Sequence, residues 1–268
     1  MASYLSRLAT LTHPDKALRY IALGAIGYWK QDELIGTLAI DSSGNGYHGV
    51  YTGAVAPVQP GLRGFDIAHQ YSGTGYIDVG DISIFDLTNT AFSIESWIKT
   101  SSSNGASIAT KFHDIVFPET GGSSGWTFFM EIDGTIRFSA ITNDPLFDIQ
   151  TINSYNDGLW HHIVGIFPNT NLDFDDPDAP PNLWIYVDGI AFGFYTFSTN
   201  FNGLSSPSFL KLGQSTIGQI QDTAIYRRAL TSAEVTAQYL AGYEDINKAT
   251  GSHTKIIQGL ASSSTVEA

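Results

Sequence analysis

The sequence predicts an all-β fold in which many short strands are joined by tight turns. Glycine accounts for 27 of the 268 residues, aromatic side chains for 13% of the chain and charged side chains for only 15%. Strands favour aromatic and β-branched residues, whereas long helices need more alanine, leucine, glutamate and lysine. Two Asp-Gly pairs between apolar segments add a turn signal, because Asp-Gly tolerates the backbone angles of a two-residue hairpin.

Each Asp-Gly pair divides two segments that are rich in strand-forming residues. Asp133-Gly134 separates WTFFMEI from TIRFSAI, and Asp188-Gly189 separates LWIYV from IAFGFYTF. Both sites therefore predict a β-hairpin. Apolar, β-rich segments predict four further strands, at residues 76–79, 92–100, 161–167 and 209–212.

Helices are predicted only near the two ends of the chain. Pro14 and Asp15 open a segment with apolar residues at helical spacing, and both residue types favour a first helical turn. Near the other end, Thr231 and Glu234 match a capping box, in which each side chain satisfies the other residue's free N–H group. The helix that follows is expected to end near Gly242.

The chain is expected to form one main domain between two arms, because 268 residues suit a single all-β domain. We assign residues 1–25 to an N-terminal arm and 26–243 to the domain. Residues 244–268 form a C-terminal tail, which ends in the polar segment LASSSTVEA.

Composition argues against several classes of partner and chemistry. A formal charge of −13 repels the phosphates of nucleic acids and anionic lipids, so neither nucleic acid nor membrane is an expected partner. No apolar segment approaches the roughly 20 residues that span a bilayer, and residues 1–12 lack the pattern of a secretory signal. The chain has no cysteine, which excludes disulfides, thiolate metal sites and thiol nucleophiles.

Eight segments in a fixed order resemble the laminin-G-like jelly-roll domains of the concanavalin-like superfamily. They lie between about Gly27 and Tyr243 and read YWKQDE, DSSGNGYHG, GYIDVG, FSIESWIKT, LWHHIVGIF, LWIYVDG, LKLGQS and IGQIQDTAIYRRALTSAEVTAQYLAGY. The resemblance implies a sandwich of two packed antiparallel sheets. A short C-terminal helix near the sheet edge and an N-terminal helical arm complete the predicted architecture.

Aromatic side chains are divided between the predicted core and the predicted surface. Trp97, Trp160 and Trp184 lie in or begin predicted strands, and we expect their rings to fill the space between the sheets. Trp126 and Tyr155 lie beside loops rich in glycine and asparagine, which makes them the candidates for contact with a ligand.

The loop AIDSSGNGYHG carries oxygen-bearing side chains at the spacing of a calcium loop. Asp41, Ser43 and Asn45 occupy alternate positions, as in the first half of such a loop. The twelfth position, which would supply a bidentate glutamate, is Thr52. A cation here would need an oxygen from elsewhere in the chain. The alternative is a glycine turn whose Asp and Asn bond their own backbone.

The family resemblance implies where that missing ligand lies. Relatives that bind a structural cation pair this loop with an acid in a later G-x-I-x-D segment, which here ends at Asp222. The implied ligands are therefore Asp41, Ser43, Asn45, the carbonyl of Tyr47, and Asp222. Oxygen ligands without thiolates favour Ca²⁺ over zinc, and such an ion would tie the start of the domain to its end.

Two other groups of polar residues are weaker candidates. The loop at 173–181 contains four aspartates and three prolines, which is typical of a solvated loop, with a second cation site as the alternative. His161 and His162 are adjacent in a predicted strand, so their rings point to opposite faces and do not form a metal-binding pair.

No catalytic motif is complete. Glu131 and Asp133 resemble the first two acids of the E-x-D-x-x-E signature of glycoside hydrolases with this fold, but the third acid would fall at Ile136. The sequence also lacks a G-x-S-x-G elbow, an HExxH motif and a P-loop. We therefore expect a protein that is not an enzyme.

These expectations lead to three functional hypotheses. The first is a virion-associated structural protein, such as a bacteriophage decoration or tail adhesion protein. It would be assembled in the host cytoplasm, contact other virion proteins or further copies through its terminal arms, and bind cell-surface glycans through its jelly roll. The second is a carbohydrate-binding or adhesive module of a bacterial surface or secreted protein. The third is a glycoside hydrolase, which the incomplete carboxylate motif disfavours.

Overall fold

A computed structural model describes residues 19–20, 23–58, 60–62, 67–86, 90–113, 124–141, 146–167, 183–195 and 207–250. These ranges contain sixteen strands, a 3-10 turn at Ser83–Phe85 and a long helix, α1, at Ser232–Thr250. In chain order the strands are β1 Ala25–Trp29, β2 Leu38–Ala39, β3 Gly49–Thr52, β4 Val55–Val58, β5 Ala68–Ser72, β6 Tyr76–Gly80, β7 Phe92–Lys99, β8 Ala106–His113, β9 Ser124–Met130, β10 Ile136–Ile141, β11 Leu146–Gln150, β12 Trp160–Phe167, β13 Leu183–Val187, β14 Ile190–Tyr195, β15 Leu210–Leu212 and β16 Ile217–Tyr226.

The strands form two antiparallel sheets that pack face to face, which confirms the predicted fold class. Sheet A has the order β14-β13-β12-β7-β16-β5-β4, and β1 also pairs with β16. Sheet B has the order β11-β10-β9-β8-β15-β6-β3-β2. The predicted N-terminal arm lies almost entirely outside the described residues, of which only Arg19 and Tyr20 are helical in that region.

Apolar side chains are buried on both faces of sheet A. In β12, Ile163 and Phe167 join the large core between the sheets, whereas Val164 and Ile166 join a second cluster on the outer face. Successive side chains of a strand point to opposite faces, so a continuous apolar strand needs a cover on each side. Leu230, just before α1, and Val235, in its first turn, belong to that second cluster and supply part of the cover.

Both predicted β-hairpins are confirmed, but only the second has the predicted two-residue turn, because the Glu131 N–H donates to the Thr135 carbonyl across the first. β9 and β10 pair around Asp133-Gly134, and β13 and β14 pair around Asp188-Gly189. Asp188 and Gly189 have φ angles of 53° and 78°, as a type I′ turn requires at both central positions. Strands β6, β7, β12 and β15 occupy the four other segments for which the sequence predicts strands, within one or two residues at each end.

Helix α1 begins where predicted but ends later. The Thr231 main-chain N–H donates to Glu234 Oε2 over 2.8 Å and the Glu234 N–H donates to Thr231 Oγ1 over 3.3 Å, which completes the capping box. The helix then continues past Gly242 to Thr250, so the predicted end was wrong. Gly242 serves packing instead, because a Cβ there would lie 2.2 Å from the indole of Trp97. The helix therefore also crosses the domain boundary predicted at residue 243.

The predicted core role of three tryptophans needs correction. Trp97 is buried, but it lies on the outer face of sheet A, where its ring stacks on Tyr239 of α1. Trp160 and Trp184 are only half-buried, and Trp184 packs against the second cluster. All three occupy strand positions whose side chains point away from sheet B. Strand propensity identifies these positions as strand, but it does not say which face each side chain takes.

Candidate functional site

The loop from Asp41 to Tyr47 is held by hydrogen bonds that converge on one buried carboxylate. Asp41 Oδ1 accepts from the main-chain N–H groups of Tyr28 over 3.0 Å and Ser43 over 2.9 Å. Its Oδ2 accepts from Ser43 Oγ and from the Tyr47 N–H, each over 2.9 Å. The Tyr47 carbonyl accepts the indole N–H of Trp29, and the Asn45 amide donates to the Ile26 carbonyl. These contacts give the Asx-type glycine turn that the sequence left as the alternative.

The remote acid predicted for this site reaches the same tyrosine from its other end. Asp222 Oδ1 accepts the phenol O–H of Tyr28 over 2.7 Å, whereas Asp41 accepts the main-chain N–H of Tyr28. Asp222 has φ of 58° in an irregular part of β16, and its N–H donates to the Lys30 carbonyl. Across the described residues, no group of three or more His, Cys, Asp or Glu side chains is placed to hold a metal. In this arrangement the Asp41 oxygens accept hydrogen bonds from N–H and O–H donors.

Calcium therefore stays a prediction with a direct test. If Asp41 and Asp222 share a Ca²⁺ ion, EGTA is expected to lower the melting temperature and added CaCl₂ to restore it, because an ion that binds only the folded state stabilises it. The Asp222→Ala variant should lose this response. A melting temperature that EGTA leaves unchanged would mean that hydrogen bonds alone close the loop.

The two adjacent histidines point to opposite faces of β12, as predicted. Nδ1 of His161 lies 2.8 Å from Asp188 and its Nε2 lies 3.1 Å from Asp157. Burial lowers the pKa of His161, but these two carboxylates outweigh that effect and raise the pKa above its ordinary value. On the other face, Nε2 of His162 lies 2.9 Å from Glu95, and both side chains are fully buried. The two histidines thus contact different carboxylates on opposite faces of β12.

Glu131 and Asp133 each make contacts that give them a structural role. Glu131 forms an ion pair of 2.9 Å with Arg137. The carboxylate of Asp133, at the hairpin turn, accepts hydrogen bonds from the main-chain N–H and the hydroxyl of Thr135, and the hydroxyl bond leads the effects that lower its pKa. Neither contact favours a catalytic pair. The acidic loop at 173–181 lies outside the described residues.

The two aromatic residues proposed as ligand contacts differ in position. Trp126 is fully buried between the sheets, and its indole N–H donates to the Phe85 carbonyl over 2.8 Å. It is a core residue, so the prediction of an exposed contact was wrong. Tyr155 is partly buried and meets the rings of His161 and Phe192 edge-on. Burial raises the pKa of Tyr155, and the residue helps to position the loop that precedes Trp160.

A polar row on the outer face of sheet A supplies a different candidate site. Trp160 of β12 lies opposite Lys99 of β7, Lys99 lies opposite Gln219 of β16, and Gln219 lies opposite Gln70 of β5. Directly opposed residues of antiparallel strands share a face, with Cβ atoms about 5 Å apart. Four neighbouring strands thus place one indole, one ammonium and two amides side by side. We call these four residues the sheet A row.

A cleft of about 470 Å³ lies along this row. Lys99, Gln70 and Gln219 line it, together with Thr100, Ser101, Ser102, Asn104, Gly158, Ile217 and Gly218. The strands approach closely at its floor, because a Cβ on Gly218 would lie 2.6 Å from the Lys99 carbonyl oxygen. The cleft is open, and hydroxyl, amide and ammonium groups lie along its walls.

Hydrogen bonds within the wall of the cleft hold its shape. Thr100 Oγ1 donates to the Ile217 carbonyl over 2.6 Å and accepts the Ser102 N–H over 2.9 Å. The Gly158 N–H donates to the Thr100 carbonyl over 2.8 Å, and the Asn156 amide donates to the Ser102 carbonyl. The loop after β7 and the loop before β12 are therefore tied together, which gives a partly preorganised surface.

Three polar groups of the sheet A row have no partner among the described residues. Gln219 Oε1 is buried and has no hydrogen-bond partner within the described ranges. In the same part of the chain, nothing forms an ion pair with Lys99 or accepts the indole N–H of Trp160. Buried polar atoms in native proteins nearly always have a partner, so the arrangement favours a polar ligand at this position.

The row ends where α1 begins to cover the sheet. Two residues further along the strands, Trp97 lies opposite both His162 and Gln221. Tyr239 and Gly242 of α1 cover Trp97. Helix α1 therefore covers the row that contains Trp97, and the sheet A row lies next to the edge of the covered area.

The sequence predicted two of the four strands of this site, β7 and β12, but not β5, β16 or the site itself. Trp160, Lys99, Gln219 and Gln70 come from four distant parts of the chain, and only the register of three strand pairings makes them neighbours. The one available signal was that Trp160 begins a strand beside the loop NDGL. A tryptophan at a strand end next to a polar loop is more exposed than one in the middle of a strand.

Among the described residues, no helix has both the length and the apolar content needed to cross a membrane.

Several solved structures with a similar fold are binding domains. The binding domain of botulinum neurotoxin serotype G superposes with a TM-score of 0.58 at 18% identity, over 81% of this chain and 51% of that one. Domain 4 of AbnA, a GH43 extracellular arabinanase from Geobacillus stearothermophilus solved with arabinotriose, gives a TM-score of 0.56 at 18% identity, over 80% and 98%. Trypanosoma rangeli sialidase gives 0.57 at 12% identity, over 83% and 33%.

The chain thus spans about half of the neurotoxin binding domain and a third of the sialidase, while it matches the arabinanase domain over nearly its whole length. At these identities the likeness concerns the fold. No curated protein matches the sequence. A family model described as the Concanavalin A-like lectin/glucanases superfamily matches residues 71–236, more than half of the chain, and the protein therefore belongs to this laminin-G-type family.

Proposed function

We propose that this protein is a non-enzymatic glycan-binding module whose site is the cleft along the sheet A row. The observation behind the proposal is the alignment of Trp160, Lys99, Gln219 and Gln70 on one face, beside a polar cleft of about 470 Å³. An indole face packs against the C–H groups of a sugar ring, while amides, hydroxyls and an ammonium bond its hydroxyl groups. This combination suits a sugar better than an apolar ligand.

The similar structures support the same class of function. A domain that this chain matches over nearly its full length was solved in complex with arabinotriose, and others are named binding domains of toxins. The carboxylates Glu131 and Asp133 are used in an ion pair and a turn, which favours binding without hydrolysis. An extracellular or cell-surface location fits this role.

The Trp160→Ala variant tests the site. We expect its affinity for a glycan that the parent protein binds to fall at least about tenfold, which corresponds to about 1.4 kcal/mol, because tryptophan is among the residues whose loss costs an interface most binding energy. A glycan array should identify the ligand, and isothermal titration calorimetry should then measure both proteins. Trp160→Phe keeps an aromatic face and should retain more affinity than Trp160→Ala.

Trp184→Ala is the matched control. Trp184 is also half-buried on the outer face of sheet A, but it packs with Tyr186 in the second cluster. Its loss should lower the melting temperature and leave affinity unchanged. Equal losses of affinity in the Trp160 and Trp184 variants would place the ligand elsewhere, and an array without any bound glycan would contradict the proposed function.

The virion role predicted from the sequence depends on the two terminal arms. Most of residues 1–25 and the part of the tail beyond Thr250 lie outside the described residues. Assembly through these arms therefore stays a prediction. It is separable from glycan binding, since the sheet A row lies on the domain itself.

A further inference from the structure

The cleft contains a positive charge that has no counter-charge among the described residues of this strongly acidic protein. The chain has a formal net charge of −13. In the described part of the chain, no carboxylate lies within 4.0 Å of the Lys99 ammonium. By contrast, Lys111, Arg137 and Arg228 each form an ion pair with an acid of their own domain. Lys99 therefore differs from these three cations, because no described acid forms an ion pair with it.

Among the described residues, the other side chains that line the cleft beside Lys99 are neutral. On its own face it lies between Trp160 and Gln219, and the cleft wall adds serine hydroxyls and the Asn104 amide. The nearby acid Asp157 is turned to His161 and to the Leu159 N–H, 3.1 and 2.8 Å away. Any charge more than about 8 Å from Lys99 is largely screened at physiological salt.

We infer that the cleft recognises an acidic glycan, with one carboxylate or sulfate group on the Lys99 ammonium and an adjoining sugar ring on Trp160. This inference rests on the proposed glycan-binding function and adds the class of ligand. The Gln219 carbonyl oxygen, which is buried and unpartnered within the described residues, accepts a hydroxyl of the same sugar. A charge-assisted hydrogen bond to Lys99 is stronger than a neutral one, so the acidic group sets the preference.

The test compares glycans that share a core and differ in charge. Lactose, sialyllactose and sulfated lactose form one set, and tri-galacturonate with its methyl ester forms another, measured by calorimetry alongside a glycan array. At least one acidic member is expected to bind about tenfold more tightly than its neutral counterpart. Comparison of sialyllactose with sulfated lactose shows whether the cleft prefers a carboxylate or a sulfate group. Added NaCl should weaken binding of that acidic member and leave neutral binding unchanged.

Variants of Lys99 decide whether this residue causes the preference. Lys99→Met should remove the difference between acidic and neutral members, while Lys99→Arg should keep it. Lys211→Met is the matched control, because Lys211 lies over the Tyr76 ring on sheet B at 5.1 Å, and its loss should leave the preference intact. Melting temperatures should confirm that all three variants fold.

Three other outcomes would contradict the acidic preference, the role of Lys99 or glycan binding itself. If a neutral member binds as tightly as its acidic counterpart, through Trp160, the acidic preference is wrong and the glycan-binding function stands. A preference that survives Lys99→Met also overturns the assignment to Lys99. If neither the probe sets nor the array show binding, both the proposed function and this inference are wrong.

Discussion

Replacement of Glu95 by alanine is expected to reduce the free energy of unfolding by about 3 to 5 kcal/mol, as is typical when one partner of a buried polar pair is removed. Glu95 is fully buried on the outer face of sheet A. Its Oε2 lies 2.9 Å from His162 Nε2, and its Oε1 accepts the hydroxyl of Tyr226. Burial and the Glu95 charge raise the pKa of Tyr226 well above its ordinary value, so this phenol keeps the proton that it donates.

The alanine variant leaves both donors in a dry site. His162 and Tyr226 lose the acceptor that they share, and each such group costs about 1 to 3 kcal/mol when its partner is removed. The cavity left by the side chain adds to this cost. Glu95→Gln keeps the volume and one acceptor oxygen, so its loss should be smaller than that of Glu95→Ala.

Urea denaturation of three variants measures these differences. Glu131→Ala is the matched surface control, because its ion pair with Arg137 is partly exposed on both sides and such pairs contribute roughly 0 to 1 kcal/mol. If Glu95→Ala and Glu131→Ala lower stability equally, the buried network under α1 has no special role. The comparison separates a buried carboxylate with two partners from a partly exposed carboxylate with one.

Lys111→Met is the second substitution for which we expect a loss of about 3 to 5 kcal/mol, for the same reason of a broken buried pair. The Lys111 side chain is fully buried, and its ammonium lies 2.8 Å from Asp81 and 2.9 Å from Asp86. It also donates to the Ser208 carbonyl over 2.8 Å. This one cation joins β8 to the segment around the 3-10 turn and to the segment before β15.

Methionine preserves most of the volume of lysine but removes the positive charge. Asp86, of which only 7% of the side chain is exposed, would then remain in the interior without the ammonium. Asp81 is 43% exposed and can turn to water. Combining Lys111→Met with Asp86→Asn should therefore recover a large part of the loss, since it removes the buried charge that lysine balances.

Thermal and urea unfolding of the single and double variants check this prediction. Lys211→Met serves as the control, because its ammonium rests over an aromatic ring at a partly exposed position of sheet B, where such contacts contribute about 0.5 to 1 kcal/mol. A double variant that is no more stable than Lys111→Met would show that Asp86 is not the group that lysine stabilises.

Some features of this protein were determined by short segments of sequence. The Asp188-Gly189 turn, the capping box from Thr231 to Glu234 and the strand at Phe92–Lys99 depend on residues within a few positions of one another. Local backbone preferences and local hydrogen bonds decide such features. The order of eight local motifs was then enough to identify the fold family.

Other features depended on which face a side chain takes and which strand lies next to it. Trp126, beside a glycine-rich loop, is buried between the sheets, whereas Trp160 is half-buried outside them. A shift of one residue in strand register exchanges the two faces of a sheet. Strand propensity does not contain that information, so the sequence assigned both tryptophans to the wrong environment.

The sequence by itself determined the all-β class, the turns, the start of α1 and the family. Only the tertiary structure decided the end of α1 and the candidate site. From the sequence, Gly242 predicts the end of a helix, but in the structure it packs against the indole of Trp97. Lys99 is the neighbour of Trp160 and Gln219 only because their strands pair. Turns and caps arise from contacts between residues close in sequence, whereas a binding row across a sheet arises from contacts between residues far apart in it.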